Sequence, residues 1–543
     1  MNLLNEPWLP VHRRDGSREW VAVDRLSDPE IVAFDASRPD FNGALAQFAI
    51  GLLQTTTPMD SPPSWKKWFE NPPDAATLGT WFAPVAAAFK FDGDGARFMQ
   101  DFDLKPNEGA VNEIGALLIE SPGENASKNN TDHFVKRGRV SAMCPRCAAL
   151  ALLTLQINAP SGGAGHRTGL RGGGPLTTLI VCQPRRSLWH DLWFNVRERS
   201  HFLAQGGDAT LAAPVFTFPW LAGNTAIQKD GGETAPMQTH PAQVFWAMPR
   251  RIHLDFDAVS VGDCGICGEA SDRLVRQYIT KNYGLNYKGA WDHPLSPYYE
   301  TKEGWLPLHP QPGGLGYRHW LAWVLGMITE KKKQRRARVV DHVLAIQPRK
   351  IRDQLALWAF GYDMDNMKAR CWYESTLPLF GLADCEPAAQ RRIESEVGLW
   401  LAGAEMAAFY LRSAVKDAWF SGDARGDFSF IDASFWGHTE SAFYAQLKTQ
   451  IDIVRESREL NTVAVSEAWQ HVLINAVIAL FDDEFVGAGQ VAQQNPQRIA
   501  KAYRQLRRNL AGTKMRQTLG LPPLESNKPK ANTKAAPAAK EGT

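Results

Sequence analysis

The chain has 543 residues, of which 44% are hydrophobic and 22% are charged, so it is too long for one core and has the composition of a soluble globular protein. Its 60 basic and 58 acidic side chains nearly cancel, so any nucleic-acid partner must meet a local basic surface. Seven cysteines in so long a chain do not indicate a disulfide framework. Because the longest unbroken apolar runs are too short for a bilayer and no signal-peptide pattern opens the sequence, we expect a cytoplasmic protein without a membrane partner.

The predicted elements begin with a hairpin and a helix. Residues 3–11 and 19–23 are typical of strands, and Asp15 and Gly16 between them supply the positive φ values of a tight turn. Residues 41–53 have apolar side chains at helical spacing, which predicts a core helix.

Residues 120–139 form a polar segment that is rich in Asn, Ser and Gly and has too few apolar residues to bury itself. A plain surface loop is the commoner meaning of such a composition. Phe134 with Lys136, Arg137 and Arg139 favours instead a loop that orders on a partner, because an aromatic anchor among basic side chains suits RNA or a protein groove.

Two C-x-x-C pairs, Cys144 with Cys147 and Cys264 with Cys267, predict a structural zinc site. Four thiolates close a tetrahedron around the ion and leave no open position for catalysis. The pairs lie unusually far apart in the chain, so a redox dithiol is the rival interpretation. Gly268 directly after the second pair favours zinc, because glycine permits the tight turn that directs backbone N–H groups at sulfur.

Residues 161–174 contain seven glycines together with His166, Arg167 and Arg171. They follow a predicted buried helix (148–157) and precede a predicted strand (176–181). Bare backbone N–H groups of such a loop can meet phosphates or base edges. The pattern is neither a Walker loop nor a convincing Rossmann fingerprint, and a plain linker is an equally weighted alternative.

Further strands are predicted at 215–218, 244–248 and 251–256. After the second cysteine pair, Tyr278 and Lys281 belong to a stretch that alternates aromatic and basic side chains. Such a stretch suits a nucleic-acid surface or a solvated strand edge.

Residues 330–338 carry six positive charges and form the clearest basic patch in the sequence. Most such runs are solvated faces, although the charge would also attract a phosphate backbone.

Asp365, Asn366 and Met367 lie in a predicted turn after residues 351–360. The sequence lacks the glycine and the terminal Glu of a calcium loop. An amide and a Met at a turn can instead insert into a duplex groove or between base steps.

The C-terminal part of the chain is predicted to be helical. Apolar residues at spacings of three and four recur at 388–420, 440–456, 466–485 and 497–515. We therefore predict an α+β protein, with a mixed domain at 1–385 that holds the zinc site, a four-helix bundle at 386–523 and a disordered tail at 524–543.

The chain lacks the motifs of common hydrolases, kinases and nucleotide-binding enzymes. The adjacent pairs His190-Asp191 and Asp341-His342 have no further ligands at supporting spacing. These observations favour a binding protein without catalytic residues.

The opening MNLLNEPWLPV, the segment SGGAGHRTGLRGGGPLTT, the two C-x-x-C pairs and the helical C-terminal region together resemble one family. It is the CasA family of large subunits of the type I-E CRISPR surveillance complex, Cascade. The likeness covers nearly the whole chain apart from the tail. It implies a subunit that lies beside the 5′ handle of the CRISPR RNA and recognises the protospacer-adjacent motif of duplex DNA from the minor groove.

The resemblance also implies site residues. The family's glycine loop corresponds to Ser161, Gly162, Gly163, Ala164 and Gly165. Its motif lysine corresponds to Lys281, and its wedge, which starts strand separation, corresponds to Asp365, Asn366 and Met367. Its segment that docks on the RNA handle and neighbouring subunits corresponds to Asn130, Phe134, Lys136 and Arg137.

The partners implied are CRISPR RNA, double-stranded target DNA, the backbone, handle-binding and small subunits of Cascade, and the helicase–nuclease. The C-terminal bundle resembles the one that contacts the small subunits and supports the R-loop. Two alternatives remain open from the residues: a zinc-stabilised nuclease acting on the same DNA, and a purely structural scaffold.

Overall fold

The computed structural model describes residues 1–129, 132, 135–226, 228–229, 231–302, 304–328, 333–346, 351, 353–365, 368–380, 385–422, 425–456, 458, 461–487 and 495–523. Contacts divide the chain into two units, Met1–Gln390 and Arg391–Thr543, which we call the N-terminal and C-terminal units. The first mixes helices with small sheets and the second is helical, which confirms the α+β class with a helical C-terminal region.

Short helices and strands build the N-terminal unit. The described α-helices are α1 (Pro39–Thr56), α2 (Pro62–Glu70), α3 (Ala75–Phe82), α4 (Glu124–Lys128), α5 (Pro145–Asn158), α6 (Leu188–Trp193), α7 (Arg199–Leu203) and α8 (Arg338–Ile346). The described strands are β1 (Leu9–Arg13), β2 (Arg18–Val21), β3 (Ile31–Phe34), β4 (Ala110–Glu113), β5 (Thr177–Cys182), β6 (Arg251–Leu254), β7 (Ser260–Asp263), β8 (Ala270–Leu274), β9 (Gln277–Lys281), β10 (Tyr298–Thr301), β11 (Gly304–Pro307), β12 (Met327–Ile328), β13 (Lys333–Arg335), β14 (Leu355–Asp365) and β15 (Lys368–Pro378).

These strands pair into small antiparallel sheets. Their strand orders are β2–β1–β3, β4–β9–β6, β7–β8, β11–β10–β13–β12 and β15–β14–β5. Because each sheet is narrow, the loops between sheets occupy much of the surface, and loops are where binding residues concentrate.

Helix α1 lies at the centre of the N-terminal core. Phe48 on this helix packs against Trp8, Phe89, Phe98 and Trp246, with ring centroids between 5.0 and 6.0 Å apart and planes nearly perpendicular. Edge-to-face aromatic packing of this kind adds to the free energy of burial. The high Trp content of the chain therefore partly reflects its core.

Strands β14 and β15 form a long hairpin, which we call the motif hairpin. β14 pairs with β5 only from Leu355 to Phe360, whereas its pairing with β15 continues to Asp365 opposite Lys368. The last five residues of β14 therefore extend beyond β5 as a two-stranded ribbon. This places the extended part of β14 next to the chain that enters β5, which is the glycine-rich segment.

Most of the elements predicted for the N-terminal unit are confirmed, namely the first hairpin, helices α1 and α5 and strands β5 and β6. The strands predicted at 215–218 and 244–248 are wrong. Short 3-10 turns begin there at Pro214 and Pro241 instead, because proline lacks the N–H that a central strand would donate. The apolar side chains that suggested strands, such as Phe218 and Trp246, are buried without a ladder partner.

The C-terminal unit is made of long helices. They are α9 (Pro387–Trp419), α10 (Ser429–Arg455), α11 (Thr462–Ala479), α12 (Pro496–Ala511) and the short α13 (Thr513–Thr518). Helix α10 begins eleven residues before the predicted 440, because the buried Ile431 and Phe435 already belong to its apolar face. Their arrangement as an antiparallel four-helix bundle stays a prediction.

One stretch, Thr462–Phe485, is long and apolar enough to cross a membrane by length and composition alone. Trp469 and Leu473 on it are fully buried. The indole N–H of Trp469 also donates to the carbonyl oxygen of Trp400 at 3.0 Å. One face of the stretch therefore belongs to the core of the C-terminal unit.

Candidate metal centre and nucleic-acid interface

Two separate elements bring the four predicted cysteine ligands together. Cys144 is the N-cap residue of α5, and Cys147 lies in its first turn. Cys264 and Cys267 lie in the turn between β7 and β8. The four sulfur atoms all lie within 4.8 Å of one another, and three of the cysteines are buried. The sequence spacing thus identified a cluster that forms only in the folded chain.

Backbone N–H groups surround these sulfur atoms. The N–H of Cys144 donates to the sulfur of Cys264 at 3.3 Å, and that of Cys147 donates to the sulfur of Cys144 at 3.5 Å. Gly268 has a φ of 76°, which closes the turn after Cys267 as its position in the sequence predicted. Such donors stabilise negative charge on the sulfur atoms.

The four thiols share protons unequally. Hydrogen bonds from Cys144 and Cys147 hold the pKa of Cys264 and of Cys267 below the usual value for a thiol. The pKa of Cys147 is raised, first by its hydrogen bond with Cys144. A metal ion that binds all four sulfurs therefore displaces the protons of Cys144 and Cys147, so the affinity of the site for the ion depends on pH.

The donor set fits a tetrahedral ion. A Zn–S bond of about 2.3 Å places the sulfurs of a regular tetrahedron roughly 3.8 Å apart. The sulfur atoms of Cys144 and Cys267 are 3.9 Å apart. Four close sulfur donors therefore suit a soft metal ion.

A polar clasp joins the cysteine site to the first hairpin. Glu269 accepts the indole N–H of Trp20 at 2.6 Å and the guanidinium of Arg146 at 2.7 Å. The guanidinium of Arg146 also lies 4.3 Å from the centroid of the Trp20 ring. The clasp holds together the N-terminus of α5, the turn that carries Cys267 and strand β2.

The glycine loop, residues 161–165, has two kinds of glycine. A Cβ added to Gly165 would lie 2.7 Å from Cβ of Asn282, and one added to Gly162 would lie 2.7 Å from Cβ of His166. Gly163, with a φ of 90°, has open space where its Cβ would be. Packing thus requires glycine at 162 and 165, whereas Gly163 presents bare backbone to the outside.

Two hydrogen bonds attach this loop to the end of β9. The N–H of Tyr283 donates to the carbonyl oxygen of Gly165 at 2.8 Å, and the amide of Asn282 donates to that of Ala164 at 2.7 Å. Lys281, the last residue of β9, precedes these two anchors and is exposed. The structure therefore brings together the predicted lysine and the predicted loop, which are more than a hundred residues apart in the chain.

Further positive charges gather around Tyr283. The Arg167 guanidinium lies 5.8 Å and the Lys229 ammonium 5.7 Å from the centroid of its ring. Tyr283 itself has a φ of 68°, an unusual backbone conformation for a bulky residue. No sequence pattern marks Lys229, because it lies in an irregular stretch without periodicity.

Arg171, by contrast, is structural. It is 4% exposed and donates to Thr177 at 3.0 Å and to Ser296 at 2.8 Å, with a further bond to Gln47. Burial lowers its pKa to about 10. Arg171 therefore holds the glycine-rich segment against α1 and is not available to a ligand.

The motif hairpin carries the predicted wedge. Asp365 is the exposed last residue of β14, whereas Asn366 and Met367 lie outside the described residues. A Cβ added to Gly174 would lie 2.6 Å from Cβ of Tyr362 and 2.9 Å from Cε of Met364. The stem of the hairpin thus packs directly on the end of the glycine-rich segment.

The predicted docking segment, residues 120–139, borders a groove of about 630 Å³. Lys136 and Arg137 are exposed on it, and Lys136 pairs with Asp132 at 3.2 Å. Asn130 and Phe134 lie outside the described residues. Strand β4 and Gly265 of the cysteine turn also line this groove.

The described part of the basic run 330–338 is engaged within the protein. Arg335 and Arg338 share Asp292, at 3.0 and 3.1 Å. Arg336 pairs with Asp341 at 2.6 Å. Lys333 pairs with Glu300 at 2.8 Å, so all four of these cations have acidic partners within the protein.

The adjacent His and Asp residues do not assemble into a catalytic group. His190 contacts the hydroxyl of Ser187 at 2.7 Å, and burial lowers its pKa to about 4. Asp191 accepts the backbone N–H of Cys182 at 2.8 Å, and burial raises its pKa to about 7. In the other pair, Asp341 binds Arg336 whereas His342 packs against the ring of Trp65.

Comparisons with known proteins identify the family and the fold. The family model for CRISPR-associated protein Cse1 matches residues 2–480. The crystal structure of CasA from Thermus thermophilus is similar with a TM-score of 0.64 at 17% identity, over 96% of this chain and 99% of that one. Cse1 from Acidimicrobium ferrooxidans gives 0.63 at 18% identity, over 96% and 99%. A chain of a CRISPR RNA-guided surveillance complex gives 0.62 at 18% identity, over 94% and 99%.

Proposed function

Because this chain belongs to the Cse1 family, the CasA large subunit of the Cascade surveillance complex, we propose that it recognises the protospacer-adjacent motif of target DNA. The observation that carries this proposal is the attachment of the glycine loop to the end of β9 beside Lys281. An exposed strip of backbone and a flexible cation are thereby held on one surface. Bases in a groove and the phosphates beside it need these two kinds of contact.

The minor groove suits this surface. It offers mainly acceptor atoms, A N3 and T O2, and so distinguishes few base pairs. The bare backbone N–H groups around Gly163 and the ammonium of Lys281 are donors that match those acceptors. A short and tolerant motif follows, and guide–target pairing supplies the remaining sequence specificity.

The motif hairpin then starts strand separation. Its two-stranded ribbon lies against the glycine-rich segment through Gly174, so a duplex held at the loop would meet the end of β14 at Asp365, which Asn366 and Met367 follow in the sequence. Inserting side chains between base steps costs about a few kcal/mol per step, which the bound duplex contacts offset.

Zn²⁺ is the ion that the four cysteines would hold. Its part is structural, because four thiolates leave no position for water or substrate. It would tie the N-terminus of α5, from whose other end the glycine loop departs, to the β7–β8 turn that precedes β9. The glycine loop and β9 would thus both be connected to the same metal site.

The remaining roles follow from the family. Partners would be CRISPR RNA at the docking segment, with Asn130, Phe134, Lys136 and Arg137, the other Cascade subunits, and the helicase–nuclease, in the cytoplasm. The subunit itself would not be an enzyme, since the His and Asp pairs point to separate partners. A nuclease remains the rival, and metal-dependent cleavage of duplex DNA by the isolated chain would favour it.

Replacing Gly163 tests the proposal. In the assembled complex, Gly163→Asp places a carboxylate where we expect the duplex, so target binding should fall at least tenfold. Gly93→Asp is the matched control, because Gly93 has a φ of 88° and equally open space. Equal binding by the two variants would show that DNA recognition lies elsewhere, as in the scaffold hypothesis.

A further inference from the structure

A polar network connects the docking segment to the motif hairpin; it is buried at Asp40 and Tyr362 and partly exposed at Arg38 and Glu120. Arg38, at the N-terminus of α1, donates to Glu120 at 2.7 and 2.8 Å and to Asp40 at 3.0 and 2.8 Å. The hydroxyl of Tyr362, on β14, donates to Asp40 at 2.6 Å. Glu120 is the first residue of the docking segment, so three separate parts of the chain meet at one guanidinium.

The Arg38 guanidinium forms a bidentate pair with each of two carboxylates, Asp40 and Glu120. Each carboxylate receives two N–H groups, which fixes both carboxylates relative to one planar group. Lysine, with a single ammonium, cannot hold two carboxylates in this manner. Burial by itself would lower the pKa of Arg38, but hydrogen bonds to Glu120 and Asp40 raise it, so the guanidinium stays charged.

Burying the polar groups of this network costs free energy of folding. Asp40 is 2% and Tyr362 4% exposed, so a charge and a phenol are taken out of water. Apolar side chains in such positions usually stabilise a fold as well or better, whereas removing one partner of a buried pair is strongly destabilising. Fixed geometry is what the network supplies in addition.

The two ends of the network are functional surfaces in the proposal above. Arg38 and Glu120 line the groove beside the docking segment. Tyr362 lies in the extended part of β14, beyond its pairing with β5, and contacts Gly174. A partner that binds in the groove beside Glu120 therefore meets the same guanidinium that holds the stem of the hairpin.

We infer that Arg38 is a positioning residue that couples docking of the subunit to the orientation of the motif hairpin. The inference rests on the proposed function of both surfaces. It predicts that Glu120, which is not on the DNA-facing hairpin, nevertheless affects DNA recognition. Complexes with the network intact bind target DNA more tightly than complexes in which it is broken at either end.

The test uses the chain assembled with CRISPR RNA and the other Cascade subunits. Glu120→Gln should weaken target-duplex binding about threefold to tenfold, the usual effect of losing one hydrogen bond of ordinary net strength, because the amide keeps one acceptor oxygen for Arg38. Glu113→Gln is the matched control, because Glu113 is an exposed carboxylate on β4 that lines the same groove without binding Arg38. Equal affinities for these two variants would refute the inference.

The other end of the network gives an independent test. Tyr362→Phe should weaken binding similarly, although it leaves the groove untouched, and Tyr373→Phe on β15 removes a hydroxyl from the same hairpin as control. Combined with Glu120→Gln, it should cost less than the product of the single effects. A purely structural network would lower the Tm but leave the affinity of the assembled complex equal to that of the control, which would also refute the inference.

The outcomes separate this inference from the proposed function. If Gly163→Asp leaves target binding unchanged, the proposed function fails and the inference fails with it. If Gly163→Asp abolishes binding while Glu120→Gln and Tyr362→Phe behave as their controls, the inference alone fails.

Discussion

Tyr283 donates its backbone N–H to the carbonyl oxygen of Gly165 at 2.8 Å. This bond attaches the glycine loop to the chain just after β9. Lys281 lies two residues before this bond, at the end of β9. The orientation of the loop and the position of the lysine therefore depend on each other. Changes to either side of the contact should affect the same function.

Gly165→Ala should weaken target binding by the assembled complex. The new Cβ would lie 2.7 Å from Cβ of Asn282, so the loop must move away from β9. Gly95→Ala controls for backbone strain, because Gly95 has a similar φ of 82° but open space around it. Both changes should cost about 1–2 kcal/mol of stability from the positive φ. A filter-binding titration should show loss of affinity for Gly165→Ala alone.

Lys281→Ala should reduce target affinity and its dependence on salt. Removal of one cation that neutralises a phosphate lowers the slope of log K against log salt by about 0.9. Lys105→Ala removes an equally exposed charge elsewhere on the unit and serves as control. Parallel salt titrations of the two variants would place Lys281 outside the interface.

Cys264→Ser should abolish metal binding. Elemental analysis should find about one zinc in each wild-type chain and none in the variant, and the Tm should fall by about 5 °C or more. Cys371→Ser is the matched control, since Cys371 is exposed and lies outside the cysteine cluster. Wild-type protein purified without chelators but free of zinc would contradict the metal assignment.

Asp191 should make stability depend on pH. Burial raises its pKa to about 7, above the ordinary value of 3.8, so the folded state holds this proton more tightly than the unfolded state. The resulting stabilisation is present at low pH and is lost as the pH rises from about 4 to about 7. Asp191→Asn keeps an acceptor for the N–H of Cys182 but has no proton to lose.

Thermal unfolding at pH 5 and pH 8 checks this prediction. The difference in Tm between Asp191→Asn and wild type should become more positive at the higher pH. A difference that stays constant, or that falls, would show that Asp191 is ionised in the folded protein at both values.

Sequence patterns identified local chemistry better than they identified long-range packing. The C-x-x-C spacing predicted all four members of the cysteine cluster, and periodicity predicted α1 and α5. An apolar stretch has the same composition in a buried turn and in a strand, so composition alone did not exclude strands after Pro214 and Pro241. The two prolines were the local signal against strands.

Other features required the folded chain. Lys229 lies in an irregular stretch, and only the folded chain brings its ammonium close to the Tyr283 ring. No local sequence signal marks Lys229. The structural role of Arg171 in the glycine-rich segment is not visible in the sequence, because its bonds to Gln47, Thr177 and Ser296 join parts of the chain far apart in sequence. Similarly, the positive charges at 333–338 are paired with Asp292, Glu300 and Asp341, which the local sequence does not reveal.

Atom-substituted DNA tests most directly whether the glycine loop and Lys281 bind the minor groove. Target duplexes would carry 3-deazaadenine, which lacks the minor-groove acceptor N3, or 7-deazaadenine, which lacks the major-groove acceptor N7, at each adenine position of the motif. We expect the assembled complex to lose affinity with 3-deazaadenine, to be unaffected by 7-deazaadenine, and to lose the difference in the Gly163→Asp variant. Loss of affinity with 7-deazaadenine and none with 3-deazaadenine would contradict recognition from the minor groove.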